Sequence, residues 1–401
     1  MPVAAVTRMR KGEWLMRGHM AAGYEKHQAF TFTSPRWVFG SAGPLAAWCQ
    51  QFPHGANMRE RDVYQFGVYT GGTMAGQVLY FRELAVQYGT HWGFDSFVGL
   101  PPEASGHKLL TRNWQEGAYS AADAMRTWKW QNMEQRLKKH INRSAAEGRV
   151  EFLRGFFNET LTPTLAAEKR MQPALYVDMD GDLYVSSIQA LEWLFCSGLI
   201  AAGARNGTVV RYDDWGGPTK RNQLIAERRA HLEITNTHRV RWAHAALLSN
   251  WFRAESYELN RPHCAARGYA PLAEAAASLG RGAETTSMPP TTPSELAACA
   301  ERIDIWRRPF VSRGGVKARC TEKYLTFLAS EYAWALRPTS ETFTPTPAEV
   351  DSGREKARLL ICGMHELLQE PVAAAAAAAT KAVEVQGKRG GKRNGQSPTS
   401  E

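Results

Sequence analysis

Two groups of residues have the types and spacing to do chemistry. The first is acidic. Val177-Asp178-Met179-Asp180-Gly181-Asp182 sets three carboxylates within a few residues, and Tyr212-Asp213-Asp214-Trp215 sets two more side by side. Carboxylates this close repel one another unless a cation or helix amides compensate. Each string follows a short apolar run (174–178 and 208–212) that reads as a buried strand. At the carboxyl edge of an α/β sheet such residues face the ligand crevice. Asp180, Asp213 and Asp214 are therefore expected to lie together as hard oxygen ligands for Mg²⁺. The competing reading is of solvated loop tips, with Asp182 capping the helix that follows.

The second group is Gly67-Val68-Tyr69-Thr70-Gly71-Gly72, between a strand at 63–68 and a helix at 72–87. Glycines allow a sharp turn and close approach of a ligand to the backbone. The helix start then offers free N–H groups to a carboxylate or phosphate. Asp95 ends the next strand, 90–95, at the place where an acid can accept the hydroxyls of a ribose. Its alternative role is a local turn in which it accepts the amides of Phe97 or Val98. Glycine turn and acid together point to an adenosine-type cofactor.

The elements that must position these residues follow from the same pattern. Further strand signals fall at 150–153 and, more weakly, near 240–243 and 252–259. Short apolar runs alternating with helical stretches imply an α/β, doubly wound, mostly parallel sheet. Ser120-Ala121-Ala122-Asp123 reads as a capping box opening a helix to about 144, with Met125, Trp128, Met133, Leu137 and Ile141 on one stripe. Arg126, Lys129, Arg136, Lys138 and Lys139 lie off that stripe. They read first as a solvated face, and second as a lid attracting an anionic substrate. A further helix at 185–196 buries Ile188, Leu191 and Phe195. His107 sits in the loop after Pro101-Pro102, where it is either solvated or in contact with substrate.

The strings together resemble the macrocin O-methyltransferase family of class I S-adenosylmethionine (SAM) methyltransferases. The resembling blocks run in order: Gln65-Phe66-Gly67-Val68-Tyr69-Thr70-Gly71-Gly72, Phe94-Asp95-Ser96-Phe97-Val98-Gly99-Leu100-Pro101, the stretch 150–161 with Arg154-Gly155-Phe156-Phe157, Asp180-Gly181-Asp182-Leu183-Tyr184, and Tyr212-Asp213-Asp214-Trp215. The aspartate-serine-phenylalanine-x-glycine-leucine-proline string is the most family-specific, and the resemblance covers roughly 60–260. It implies a seven-stranded sheet with an antiparallel last hairpin. It also implies that Gly67, Gly71 and Gly72 cradle the amino-acid part of SAM, and that Asp95, Ser96 and Phe97 lie at the ribose. Gly155 and Phe156 would line the adenine side, and Asp180, Asp213 and Asp214 would bind Mg²⁺. One position departs: the family has a glutamate where this chain has Gln65, which accepts a hydrogen bond but carries no charge.

The implied reaction is transfer of a methyl group to a hydroxyl of a sugar-bearing or small hydroxylated molecule. Asp180 is the expected general base, with Asp182 as the weaker candidate. Three other readings compete. A DxD-type glycosyltransferase would use Asp180-Gly181-Asp182 and leave the glycine turn unexplained. A nicotinamide-dependent oxidoreductase would use the turn, which lacks G-x-G-x-x-G, and leave the acids idle. A catalytically degenerate methyltransferase fold could bind nucleic acid through basic residues, but the sequence carries no RNA-binding motif.

Composition frames these readings. The chain has 401 residues, 44% hydrophobic and 22% charged, which excludes a wholly disordered protein. Lys and Arg number 49 against 39 Asp and Glu, a net charge of +10 that permits anionic partners without requiring them. No apolar run approaches the roughly 18 residues of a membrane helix. Six scattered cysteines with no CxxC pair predict free thiols in a reducing, cytoplasmic setting. The expected organisation is an N-terminal segment (1–60), a methyltransferase domain (61–265), a mostly helical extension (266–370) and a disordered Ala-rich, basic tail (371–401). The extension is expected either to pack on the catalytic domain or to mediate association into a homo-oligomer.

Overall fold

The computed structural model describes residues 48, 51–52, 54–142, 149–215, 226–244, 250–270 and 346–357. Most of the expected 266–370 extension and the whole 371–401 tail lie outside the described residues. So do all cysteines except Cys196 and Cys264.

Seven strands form one sheet: β1 (Asp62–Phe66), β2 (Thr90–Asp95), β3 (Arg149–Arg154), β4 (Ala174–Met179), β5 (Val209–Tyr212), β6 (Arg241–His244) and β7 (Trp251–Ser256). Their order is β3-β2-β1-β4-β5-β7-β6, parallel throughout except for β7, which runs antiparallel to both neighbours. The expected doubly wound, mostly parallel sheet is present. β1 and β4 are central and buried at every position, as strands covered on both faces must be, including the polar Asp62, Gln65 and Asp178.

The helices are α1 (Gly72–Glu83), α2 (Ala121–Ala124), α3 (Trp130–Asn142), α4 (Phe157–Thr160), α5 (Leu165–Glu168), α6 (Tyr184–Cys196), α7 (Ala226–Thr237), α8 (Arg261–Ala266) and α9 (Pro347–Ala357). Two differ from expectation. α1 stops at Glu83 because Gln87–Tyr88 pairs in parallel with Asn57–Met58. The long helix from Ser120 is two helices. Ser120 caps the first through a bond from the Asp123 amide (3.1 Å), and Arg126 then turns left-handed at φ 51°. The Arg136 guanidinium closes the break by donating to the Met125 carbonyl at 2.8 Å. Met125, Met133, Leu137 and Ile141 are buried as the stripe requires, whereas Trp128, in the break, is 53% exposed.

The largest core cluster joins the central strands to α6 and α7 through Phe66, Phe94, Val177, Trp193, Phe195, Tyr212 and Ile234. On the other face Trp48 and Phe52, from the N-terminal segment, pack among Tyr80, Phe81, Tyr176 and Trp251 with ring centroids 4.9–6.4 Å apart. The amino edge of the sheet is closed by polar contacts. Buried Asp62 accepts from the Thr90 and Gln172 amides and the Trp92 indole at 2.7–2.9 Å.

The cysteine expectation is corrected. Cys196, ending α6, is disulfide-bonded to Cys264 of α8 across a sequence separation of 68, and no cysteine among the described residues is free. The fold brings the two Cα atoms to 5.4 Å, a proximity no local spacing could announce. Among the described residues no helix is long and apolar enough to cross a membrane.

Candidate active site

The sheet register assembles the site. Gly67 donates its amide to the Phe94 carbonyl (2.9 Å), Asp180 to that of Phe66 (2.8 Å), Asp213 to that of Met179 (2.9 Å) and Gly155 to that of Asp95 (3.0 Å). The ladder therefore delivers Gly67, Asp95, Gly155, Asp180 and Asp213 to one edge. Because β1 is followed by β2 on one side and flanked by β4 on the other, the chain reverses direction of winding between β1 and β4. Ligand crevices of open α/β sheets lie at such a point.

The turn after β1 is shaped by Asp95. One carboxylate oxygen accepts the amides of Val68 and Tyr69, both at 2.7 Å, and the other accepts that of Phe97 at 2.5 Å. Burial raises the Asp95 pKa, and the bonds from Tyr69, Phe97 and Val68 oppose that rise. Asp95 thus performs the local turn role and also clamps the glycine turn. Three of its roughly four acceptor sites are engaged, which leaves one for a ribose hydroxyl. Ser96 donates to the Gly99 carbonyl at 2.6 Å, and Phe97 is fully buried against Trp130 and Phe152. Both build the turn. Gly71 caps α1 at φ 80°, and a side chain on Gly72 would meet open space. Gly155 and half-buried Phe156 lie at the end of β3, where Phe156 precedes α4.

Gln65 is completely buried. Its amide nitrogen donates to the Gly67 carbonyl at 2.8 Å, and its Oε1 has no partner among the described residues. An unpaired buried acceptor is costly, at about 1–3 kcal/mol. It fits a site that receives a donor from elsewhere.

The acidic strings converge, with one change of membership. Carboxylate oxygens of Asp180, Asp182 and Asp214 lie within 4.8 Å of one another. Asp213 stands beside them but is paired with Arg211, which also holds buried Asp178 at 2.6 Å. Gln77 of α1 donates to Asp178 as well. The pKa values record the crowding. Asp180 is pushed well above the carboxylate range by burial, then by Asp213, Asp178, Asp182 and Asp214. Asp182 is also well raised, by burial and by Asp214, and Asp214 rises to about 6 through burial and Asp213. Burial disfavours the charge on Arg211, but Asp178 and Asp213 outweigh it and its pKa rises.

Asp182 does not cap α6. The cap comes from Glu103, which sequence reasoning missed: its carboxylate accepts the amides of Tyr184 at 2.9 Å and Val185 at 3.0 Å. Asp182 stands free of that duty, at φ 60°, facing the cluster. His107 stacks on Tyr184 with centroids 3.8 Å apart, so the loop after β2 is seated on the start of α6. Glu227 of α7 is a second missed residue. It is buried and accepts the Asp214 amide at 2.8 Å, and its pKa is raised by burial and by Asp214. Neither residue lies in a recognisable string; only the fold brings them to the site. Of the expected lid cations, Arg136 is spent on the Met125 carbonyl and Lys138 on Glu134 and Glu151, at 2.8 and 3.7 Å.

Residues 56–243 match the model of the macrocin-O-methyltransferase (TylF) family. Among solved structures the chain is similar to the calicheamicin methyltransferase CalS11, at 16% identity over 62% of this chain and 86% of that one, with a TM-score of 0.35. It is also similar to the O-methyltransferase NovP, at 20% identity over 49% of this chain and 72% of that one, with a TM-score of 0.30. No curated protein matches it. The matched segment, which holds the glycine turn and both acidic strand ends, is thus similar to the macrocin-O-methyltransferase family.

Proposed function

We propose that the chain methylates a hydroxyl of a sugar-bearing or small hydroxylated molecule, with a divalent cation such as Mg²⁺ held at the acidic cluster. The observation that carries this reading is the contact between the two halves of the site. A Cβ on Gly67 would overlap the Asp180 carbonyl, so the cofactor turn and the acidic cluster abut with no room between them. A methyl donor on the turn and an oxygen nucleophile at the cluster would then be neighbours, and most of the rate can come from that positioning.

The seven strands and the antiparallel β7 agree with the arrangement the family resemblance implies. The residues also fit SAM. The unpaired Oε1 of Gln65 and the Gly67 carbonyl are acceptors for its ammonium, the turn at Gly71 and Gly72 admits its carboxylate, and Asp95 retains an acceptor for its ribose. When bound, SAM supplies an electrophilic methyl group on a sulfonium.

Asp180, Asp182 and Asp214 are oxygen donors suited to a hard cation, which would relieve their repulsion and acidify the acceptor hydroxyl. Asp213 joins them only by leaving Arg211. The Asp180 carboxylate, beside the cofactor turn, is the acceptor for the hydroxyl proton.

Titration with Mn²⁺, followed by loss of the free-ion paramagnetic signal, tests the cation site. Wild type should bind, and Asp182→Asn and Asp214→Asn should each weaken binding at least ~10-fold, the loss of one charge-assisted interaction. Asp213→Asn should weaken it less. A wild-type chain that leaves the Mn²⁺ signal unchanged rules the cation out.

A further inference from the structure

Away from the active site, the disulfide between α6 and α8 has an unusual neighbour. A ring nitrogen of His238 lies within 4.8 Å of both sulfurs, and all three side chains are buried. His238 stacks on Phe195, with centroids 5.0 Å apart. Its Nδ1 accepts the amide of Asn260, the cap of α8, at 3.2 Å. Its Nε2 has no partner among the described residues. Burial, then nearby His263, lowers its pKa to about 4, so the ring is neutral near pH 7. A neutral ring that uses its Nδ1 lone pair for an amide carries its proton on Nε2. The result is a buried N–H donor, unsatisfied while the sulfurs are bonded to each other.

We propose that Cys196 and Cys264 form a reversible redox couple, and that His238 is the positioning residue that favours its reduced state. The reaction is thiol–disulfide exchange with a dithiol. A thiolate of the reductant attacks one sulfur and breaks the Cys196–Cys264 bond, and its second thiol resolves the mixed disulfide. The reductant leaves as a cyclic disulfide. The pair gains two electrons and two protons, or one proton where a sulfur stays as thiolate and accepts the Nε2–H of His238. That bond exists only in the reduced state, so it shifts the equilibrium toward reduction.

The same three side chains resemble a soft-metal site, but the tautomer opposes it. A metal on Nε2 would require a proton on Nδ1, which faces the amide N–H of Asn260. The outer face of α8 is exposed at Arg261, Pro262, Ala265 and Ala266, so the helix can lift to admit a small dithiol.

The test equilibrates the full chain in dithiothreitol buffers of graded reduced-to-oxidised ratio, then quenches in acid, alkylates and counts thiols by mass. Wild type should interconvert fully between the two forms. His238→Phe keeps the stacking ring and loses the donor, so its equilibrium should shift about tenfold toward the disulfide. His238→Gln, which keeps an N–H, should recover part of the shift. Identical equilibria in wild type and His238→Phe would overturn the proposal. So would failure of the reduced wild type to re-form the bond, or tight retention of Zn²⁺ by the reduced chain.

Discussion

Gly67 and Asp180 pack without room for a side chain: a Cβ on the first, which sits at φ 91°, would overlap the backbone carbonyl of the second. The contact joins the turn after β1 to the acidic loop after β4, and it makes two separate sequence motifs one site.

Gly67→Ala should therefore damage fold and function together. A left-handed alanine costs about 1–2 kcal/mol, and the overlap with Asp180 adds to that by forcing the strands apart. The expected outcome is a lower melting temperature and loss of SAM binding, read by calorimetry. An alanine variant that binds SAM as wild type does would show that the two loops are not in register.

Glu103 is predicted to matter although it lies far from Asp182 in sequence. Glu103→Ala removes the acceptor for two amides at the start of α6, a loss of about 1–2 kcal/mol in chemical unfolding. It should also loosen the acidic loop and weaken Mn²⁺ binding. Unchanged stability would mean that water replaces the cap.

Gln65 separates two roles. If its unpaired Oε1 receives the ammonium of SAM, Gln65→Leu should lose about 1.5–3 kcal/mol of SAM affinity. It should barely change the affinity for methylthioadenosine, which lacks the amino acid. Equal losses for both ligands would point to collapse of the turn instead.

His91 sets a pH dependence. It is fully buried, neither ring nitrogen has a partner among the described residues, and burial lowers its pKa to about 3. The unfolded chain takes up this proton near the ordinary pKa of about 6.5, whereas the folded chain resists until about 3. Stability is therefore full above the unfolded value and falls as pH drops toward the folded one, by at most about 1.4 kcal/mol per pH unit. His238 acts in the same sense. Urea unfolding at pH 7.5 and pH 5 should show the fall in wild type and a smaller one in His91→Leu. Parallel behaviour of the two would assign the acid sensitivity elsewhere.

What could be read from the sequence was local. The glycine turn, Asp95 at its strand end and the two acidic strings are each set by a few consecutive residues, and strand–helix alternation was enough to place them on one sheet edge. The rest depends on tertiary contacts. Glu103 caps a helix 81 residues further along the chain, and Cys196 meets Cys264 only because α8 folds back on α6. Asp213 looked equivalent to Asp214 as a ligand, and only the fold shows Arg211 holding it. The stripe from Met125 to Ile141 predicted burial correctly at four positions and failed at Trp128, where a left-handed Arg126 breaks the helix.

The central claim is that SAM and a divalent cation occupy adjoining halves of one site. It is tested most directly by titrating SAM into the purified chain by calorimetry, with Mg²⁺ and after chelation, in wild type and Asp214→Asn. The account predicts saturable SAM binding in both proteins, and Mg²⁺ altering that binding in wild type only. Absence of SAM binding under every condition, or an identical Mg²⁺ effect in Asp214→Asn, would contradict it.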